Sequence, residues 1–197
     1  MDDIGLSNRI VLYSDFNCPF CYAMHERLHD HAVLDRIEWR GVQHAPELPL
    51  PMARWNGRLR DELRQEVAMV ERLAPMLPIV VPEGKPNTRR AIQLAARVLR
   101  RDPVPGLGLI RRLYWLFWRE GRDISDVAVL GEALLALGLS QQGLGEKDEA
   151  SALVLEGWTS QWHGTGQAGV PLLERADGML VVGLARESDL KRFLQVP

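Results

Sequence analysis

Only two of the 197 residues are cysteine, and they stand three positions apart at Cys18 and Cys21. So few cysteines exclude a framework of disulfide staples, and a structural zinc site would need further ligands at suitable spacing. No apolar run approaches the roughly 20 residues that cross a bilayer as a helix. The amino terminus, Met1-Asp2-Asp3-Ile4, lacks the positive region and apolar core of a signal peptide, which makes a cytoplasmic location the expectation. Neither sign of charge prevails: 24 Lys and Arg against 26 Asp and Glu leave a formal charge of -2, so no general attraction to nucleic acid or to a membrane surface is expected. The chain also lacks internal repeats and low-complexity linkers. What remains is an ordinary globular composition, 46% hydrophobic and 25% charged, on a chain long enough to bury a core without staples. Arginines gather at Arg89, Arg90, Arg97, Arg100, Arg101, Arg111 and Arg112 and read as a solvated helix face.

The hydrophobic pattern changes period along the chain. Ile10 to Ser14 is a short β-favouring run that ends at Asp15-Phe16-Asn17, directly before the cysteine pair. Tyr22, Leu28 and Ala32 then follow helical spacing to about Leu34, with Pro19 in the first turn, where a missing amide costs nothing. Ile37, Trp39 and Gly41 alternate with polar residues as a second strand, and Pro46, Pro49 and Pro51 end it. From about 54 to 163 the period is helical, and Pro and Gly divide the stretch into four or five helices. Strand signals return at Val170 to Glu174 and Met179 to Val182 around the turn dipeptide Asp177-Gly178, and a last helix is expected near Ser188, a suitable cap. The expected order is β-α-β, an inserted helical subdomain, then β-β-α. It describes a single α/β domain with a core at about 8–45 and 165–197 and an insertion at about 54–163.

Cys18-Pro19-Phe20-Cys21 therefore sits where a strand delivers a loop to a helix start. A thiol attacks only as thiolate, and free cysteine, with a pKa near ~8.5, is mostly protonated at neutral pH. Unpaired amides and the positive dipole end of a helix stabilise the anion. Residues three apart on a helical turn have Cβ atoms about 5–6 Å apart, close enough for modest adjustment to close a disulfide. In a reducing compartment such a pair points to dithiol–disulfide exchange. Cys18, at the outer end of the turn, is expected to be the nucleophile, and Cys21, further into the helix, the resolving thiol.

The run Ser14-Asp15-Phe16-Asn17-Cys18-Pro19-Phe20-Cys21-Tyr22, with the distant Gly169-Val170-Pro171, resembles the DsbA family of the thioredoxin superfamily, in particular its FrnE-like branch without signal peptides. Asn87-Thr88-Arg89-Arg90-Ala91 and Glu120-Gly121-Arg122-Asp123-Ile124-Ser125-Asp126 also resemble stretches of that branch. The resemblance implies a thioredoxin-like fold with a helical insertion and a cis peptide bond before Pro171, facing the cysteines. It also implies that the backbone of Val170 binds a polypeptide substrate by strand addition. It implies no tightly bound cofactor: the redox-active disulfide is the working group, with glutathione as an eligible reductant or co-substrate. Kappa-class glutathione transferases and hydroxychromene carboxylate isomerases share the architecture but typically carry serine at the position of Cys18. A glutathione-dependent transferase or isomerase is thus one alternative, and a non-enzymatic redox-sensing binding module another. Phe20 stands where the best-known periplasmic members have histidine, so the thiolate loses that imidazole and the direction of exchange stays open.

Other residues carry weaker signals. Asp15, three residues before Cys18, is a candidate for an electrostatic or proton-relay role. Cys21, His25 and His29 share a helical stripe, but Cys21 is needed for redox chemistry and no metal is expected. His44 and His163 have no evident partners. The six tryptophans, with Tyr114 and Phe117, suit either a core or a substrate cleft, and Tyr22 suits packing beside the cysteines.

Overall fold

A computed structural model describes residues 10–195. The Met1-Asp2-Asp3-Ile4 terminus and the outermost ends of the expected core, 8–9 and 196–197, lie outside the described residues.

The strands are β1 (Ile10–Ser14), β2 (Ile37–Gly41), β3 (Leu172–Arg175) and β4 (Leu180–Val182), in the sheet order β2-β1-β3-β4. β1 runs parallel to β2, with Ser14 opposite Gly41, and antiparallel to β3; β3 and β4 form an antiparallel hairpin. β1 is buried along its whole length, as a central strand covered on both faces must be. Ile10 and Leu12 face the main core with α1 (Pro19–Asp30), α3 (Arg89–Arg101), α4 (Pro103–Trp118) and α7 (Glu187–Leu194). Val11 and Tyr13 face the other side, where Trp162 of α6 (Glu149–Gly164) joins Val42 and Leu172. With α2 (Gly57–Leu73) and α5 (Val127–Leu135), the described residues form a mixed α/β fold of four strands and seven α-helices. Among the described residues no helix is long and apolar enough to cross a membrane.

Local chemistry sets the helix starts. Pro19 and Pro103 occupy the first helical position, and the carboxylates of Asp102, Asp126 and Asp148 accept backbone N–H groups of α4, α5 and α6. Two boundaries differ from expectation. α1 stops at Asp30 rather than near Leu34, because Ala32 turns into the left-handed region (φ 53°) before a short 3-10 turn at Leu34–Arg36. α7 starts at Glu187 behind Arg186, which makes no side-chain cap, so Ser188 lies inside the first turn and does not cap it. The arginines are also not one solvated face: Arg111 pairs with the buried Glu26 of α1, while Arg90 and Arg97 donate to the carbonyls of Ser125 and Gly143.

The Glu26 cluster ties α1 to α4. Its carboxylate takes Arg111 on both oxygens, at 2.9 and 3.1 Å, and Arg119 at 3.0 Å, and both guanidiniums stack on Trp115. Burial opposes its ionisation, yet His25 beside it and the bonds and charge of Arg111 outweigh that cost and hold its pKa down to about 2. α3 and α4 pack at backbone distance: a Cβ on Gly106 would stand 2.7 Å from Leu99 Cα. Gly106→Ala is expected to destabilise the fold by roughly 1–3 kcal/mol through overpacking, read as a lowered urea midpoint with an unchanged m-value.

Candidate active site

Cys18 is the N-cap residue of α1, in extended conformation, one position before Pro19. Its N–H closes a turn onto the Asp15 carbonyl at 3.2 Å, and its carbonyl receives the first helical bond from Tyr22 N–H at 3.2 Å. Both cysteines are free thiols and both are buried, Cys21 completely. The sequence thus folds the pair as expected, with one difference: Cys18, at 6% exposure, is less open than its place at the end of the turn suggests.

The surroundings push the two thiols in opposite directions. At Cys18 the Cys21 thiol donates to the sulfur, and this outweighs burial; the charge of His44, the Cys21 N–H and the Lys85 ammonium act the same way, so its pKa falls below the ordinary cysteine value. At Cys21 burial dominates, and the bond to Cys18 and the charge of Cys18 add to it, so its pKa rises well above that value. An N–H from Asp15 reaches the Cys21 sulfur at 3.4 Å.

Asp15 is completely buried, and its Oδ2 accepts the His44 N–H at 3.0 Å and contacts His44 Nδ1 at 2.8 Å. His44, expected to have no partner, therefore has a close one. Burial disfavours its charged ring, but the hydrogen bond and charge of Asp15, with help from Cys18, raise its pKa above the ordinary histidine value. Parallel pairing explains the encounter: Ser14 lies opposite Gly41, so Asp15 and Val42–His44 leave the sheet side by side. The β1–β2 register carried this signal, and the linear spacing of 29 residues hid it.

Lys85 and Asn17 were likewise missed. Lys85 is buried, bonds Glu66 at 2.6 Å and lies 5.7 Å from the Trp55 ring centroid. Asn17 anchors the loop before Cys18 by donating to the Pro86 carbonyl at 2.9 Å. Gly84 permits the approach of this segment, since a Cβ there would fall on the Ala53 carbonyl oxygen. From sequence, Gly84-Lys85-Pro86 looks like an ordinary loop, and only tertiary packing brings it to the cysteines.

Val170 and Pro171 come to the pair from the far end of the chain. The Val170–Pro171 bond is cis, as is Leu50–Pro51, and the Cys18 thiol points at the Val170 carbonyl at 3.6 Å. Phe20 is half-buried against the core. Tyr22 is buried, donates to the Pro78 carbonyl at 2.9 Å and accepts from Arg119 at 2.7 Å. Trp39, Trp118 and Trp162 are core residues, while Trp55, Trp115 and Trp158 are only partly buried. His25 is buried against Tyr114, and His29 contacts Arg111 at 2.7 Å, so the Cys21-His25-His29 stripe is divided between the interior and the Glu26 cluster. Among the described residues no group of three or more His, Cys, Asp or Glu is placed to hold a metal.

Comparison with curated proteins finds no match. Solved structures match over nearly the whole chain. A candidate protein disulfide isomerase from Nitrosomonas europaea is 15% identical with a TM-score of 0.73, covering 94% of this chain and 96% of that one. A 2-hydroxychromene-2-carboxylate isomerase is 19% identical with a TM-score of 0.71, covering 94% and 93%. The cytosolic disulfide reductase DsbM from Pseudomonas aeruginosa, in its structure with GSH, is 16% identical with a TM-score of 0.68, covering 95% and 97%. At these identities the likeness is one of fold. The sequence profile of the DSBA-like thioredoxin domain matches residues 9–195. Together with the sheet order and the thiol pair at the start of α1, this match places the chain in the DsbA-like family of thiol–disulfide oxidoreductases.

Proposed function

We propose that this chain catalyses dithiol–disulfide exchange on polypeptide substrates through Cys18-Pro19-Phe20-Cys21. The observation that carries the reading is geometric: Cys18 stands at the N-cap of α1 beside the Val170 carbonyl, with Cys21 completely buried one turn further in. In the reductive direction the Cys18 thiolate attacks a substrate disulfide, forming Cys18–substrate and releasing one substrate thiol. The Cys21 thiolate then attacks Cys18 Sγ, frees the second substrate thiol and leaves the Cys18–Cys21 disulfide; two electrons pass to the substrate. The oxidative direction is the reverse.

Val170 is the proposed peptide-binding element, since its carbonyl lies beside the nucleophile and an extended substrate segment can pair with that backbone. Phe20 offers no charge to the thiolate, and His44, oriented by Asp15, supplies a cation from the β2–α2 connection instead. Asp15 is thus a positioning residue, acting on the dithiol through His44. Glutathione is the proposed reductant, a role that the GSH-bound structure of DsbM supports. With it goes a cytoplasmic, FrnE-like assignment and a single domain in which 54–163 is an insertion. The serine typical of the transferase-like relatives is absent at Cys18, which favours dithiol exchange over isomerisation of a glutathione adduct.

Two outcomes test this reading. Cys18→Ser should abolish reduction or isomerisation of a small disulfide, while Cys21→Ser should accumulate a covalent adduct at Cys18, identifiable by mass spectrometry after exposure to a cell extract. Polypeptide adducts support the proposal; adducts of glutathione alone move the function to the transferase-like class. His44→Gln should raise the Cys18 pKa and slow its alkylation by iodoacetamide by about threefold in mildly acid solution. Because the His44 pKa is raised, its charge is full below about 6.5 and lost as pH rises through the higher folded value. The deficit of the variant should therefore shrink toward alkaline pH; an equal deficit at every pH would remove His44 from the site.

A further inference from the structure

Cys21 has to ionise for a mixed disulfide to be resolved, yet it is completely buried and its environment favours the thiol. Near it lie two hydroxyl groups that the exchange chemistry described above does not use. Ser14, the last residue of β1, precedes Asp15, whose N–H reaches the Cys21 sulfur at 3.4 Å, and Ser14 itself acts to lower the Cys21 pKa; its Oγ lies 2.7 Å from the hydroxyl of Tyr114 on α4. Both side chains are completely buried. The Tyr114 ring is fixed by Phe16 at 4.9 Å, His25 at 5.2 Å and Tyr22 at 6.0 Å between centroids.

Burying two hydroxyls in an apolar core is costly unless each is hydrogen-bonded, and phenylalanine or alanine would pack there without that cost. Their order is informative. With Cys21 protonated, its S–H can donate and the hydroxyl protons can point away from it. With Cys21 ionised, both protons can reverse, so that Tyr114 O–H donates to Ser14 Oγ and Ser14 O–H donates to the sulfur. Hydroxyl rotation needs no backbone movement, and a second donor polarises the first. Burial keeps the Tyr114 phenol protonated, since its pKa is raised well above the ordinary value.

We propose that Ser14 and Tyr114 form a two-hydroxyl donor chain that stabilises the Cys21 thiolate while it displaces substrate from Cys18. The inference rests on the dithiol-exchange reading and concerns the resolving step alone. In that step the Cys21–H bond breaks, a bond from Cys21 Sγ to Cys18 Sγ forms, the Cys18–substrate bond breaks, and the proton ends on the departing thiolate or in buffer. The other titratable groups around the chain are Cys18 and Asp15 on the β1–α1 loop and Tyr22 and His25 on α1. Ser14 and Tyr114 are positioning residues, since they touch the resolving sulfur directly or through one hydroxyl but not the substrate.

The test uses the full-length reduced protein and the aromatic disulfide 5,5′-dithiobis(2-nitrobenzoate), whose released thiolate is followed by absorbance in stopped flow. The first release reports attack by Cys18, and the second reports resolution by Cys21. Ser14→Ala should slow the second phase about tenfold and Tyr114→Phe about threefold at neutral pH, with the first phase unchanged within about twofold. The pH profile of the second phase should move to higher pH in both, and Ser14→Thr, which restores a hydroxyl, should recover most of the rate. Thermal melts of each variant identify any loss of folding, and the Ser14→Ala and Ser14→Thr pair decides the outcome if Tyr114→Phe does not fold. An unchanged second phase in both variants, or equal slowing of both phases, overturns the donor chain. Slowing in Ser14→Ala alone removes Tyr114 from it. Failure of the wild type to show a first phase overturns the dithiol-exchange reading itself.

Discussion

The first turn of α1 leaves backbone amides without helical partners, and a sulfur atom stands where a serine or aspartate oxygen usually caps a helix. Cys18 makes no side-chain cap hydrogen bond, so the amides of this turn stay open to its sulfur, which gains most from them when it loses its proton. Cys21, one helical turn in, acts the same way and favours the Cys18 thiolate. The same geometry places Cys21 where burial holds its own proton on. One structural element therefore gives two chemically alike residues unequal surroundings, and the proposed division into nucleophile and resolving thiol rests on that inequality.

The rest of the fold presents and seasons this turn. β1, buried on both faces, delivers Ser14 to Tyr114 and Asp15 to Cys21 through its N–H and to His44 through its carboxylate. The parallel partner β2 ends level with β1, so the connection after it carries His44 to Asp15. The Glu26 cluster locks α1 onto α4, which also holds Tyr114 behind Cys21. In the proposed chemistry the charges of His44 and Lys85 favour the Cys18 thiolate, and the neutral Ser14–Tyr114 pair serves Cys21.

Much of this was legible in the sequence. The β-favouring run before Cys18, the proline at the first helical position and the Asp177-Gly178 turn marked β1, the start of α1 and the β3–β4 hairpin, since each follows from local sterics and hydrogen bonding. The α1 end and the α7 cap were misplaced by four and two residues because turns such as that at Ala32 depend on tertiary context. His44, Lys85 and the Ser14–Tyr114 pair were not legible for a different reason. Their contacts span 29, 67 and 100 residues, respectively, and arise from strand register and helix packing, which no local periodicity encodes. Asp15 was singled out as an electrostatic candidate, but its partner His44 was not.

Titrating thiolate absorbance near 240 nm in the reduced wild-type protein, with the oxidised protein as baseline, reads the splitting of the two thiols by one helix start. Two separate steps are expected, one thiolate appearing below the ordinary cysteine pKa of about 8.5 and the second well above it. A single step in which both thiols ionise together at or above that value would contradict that splitting.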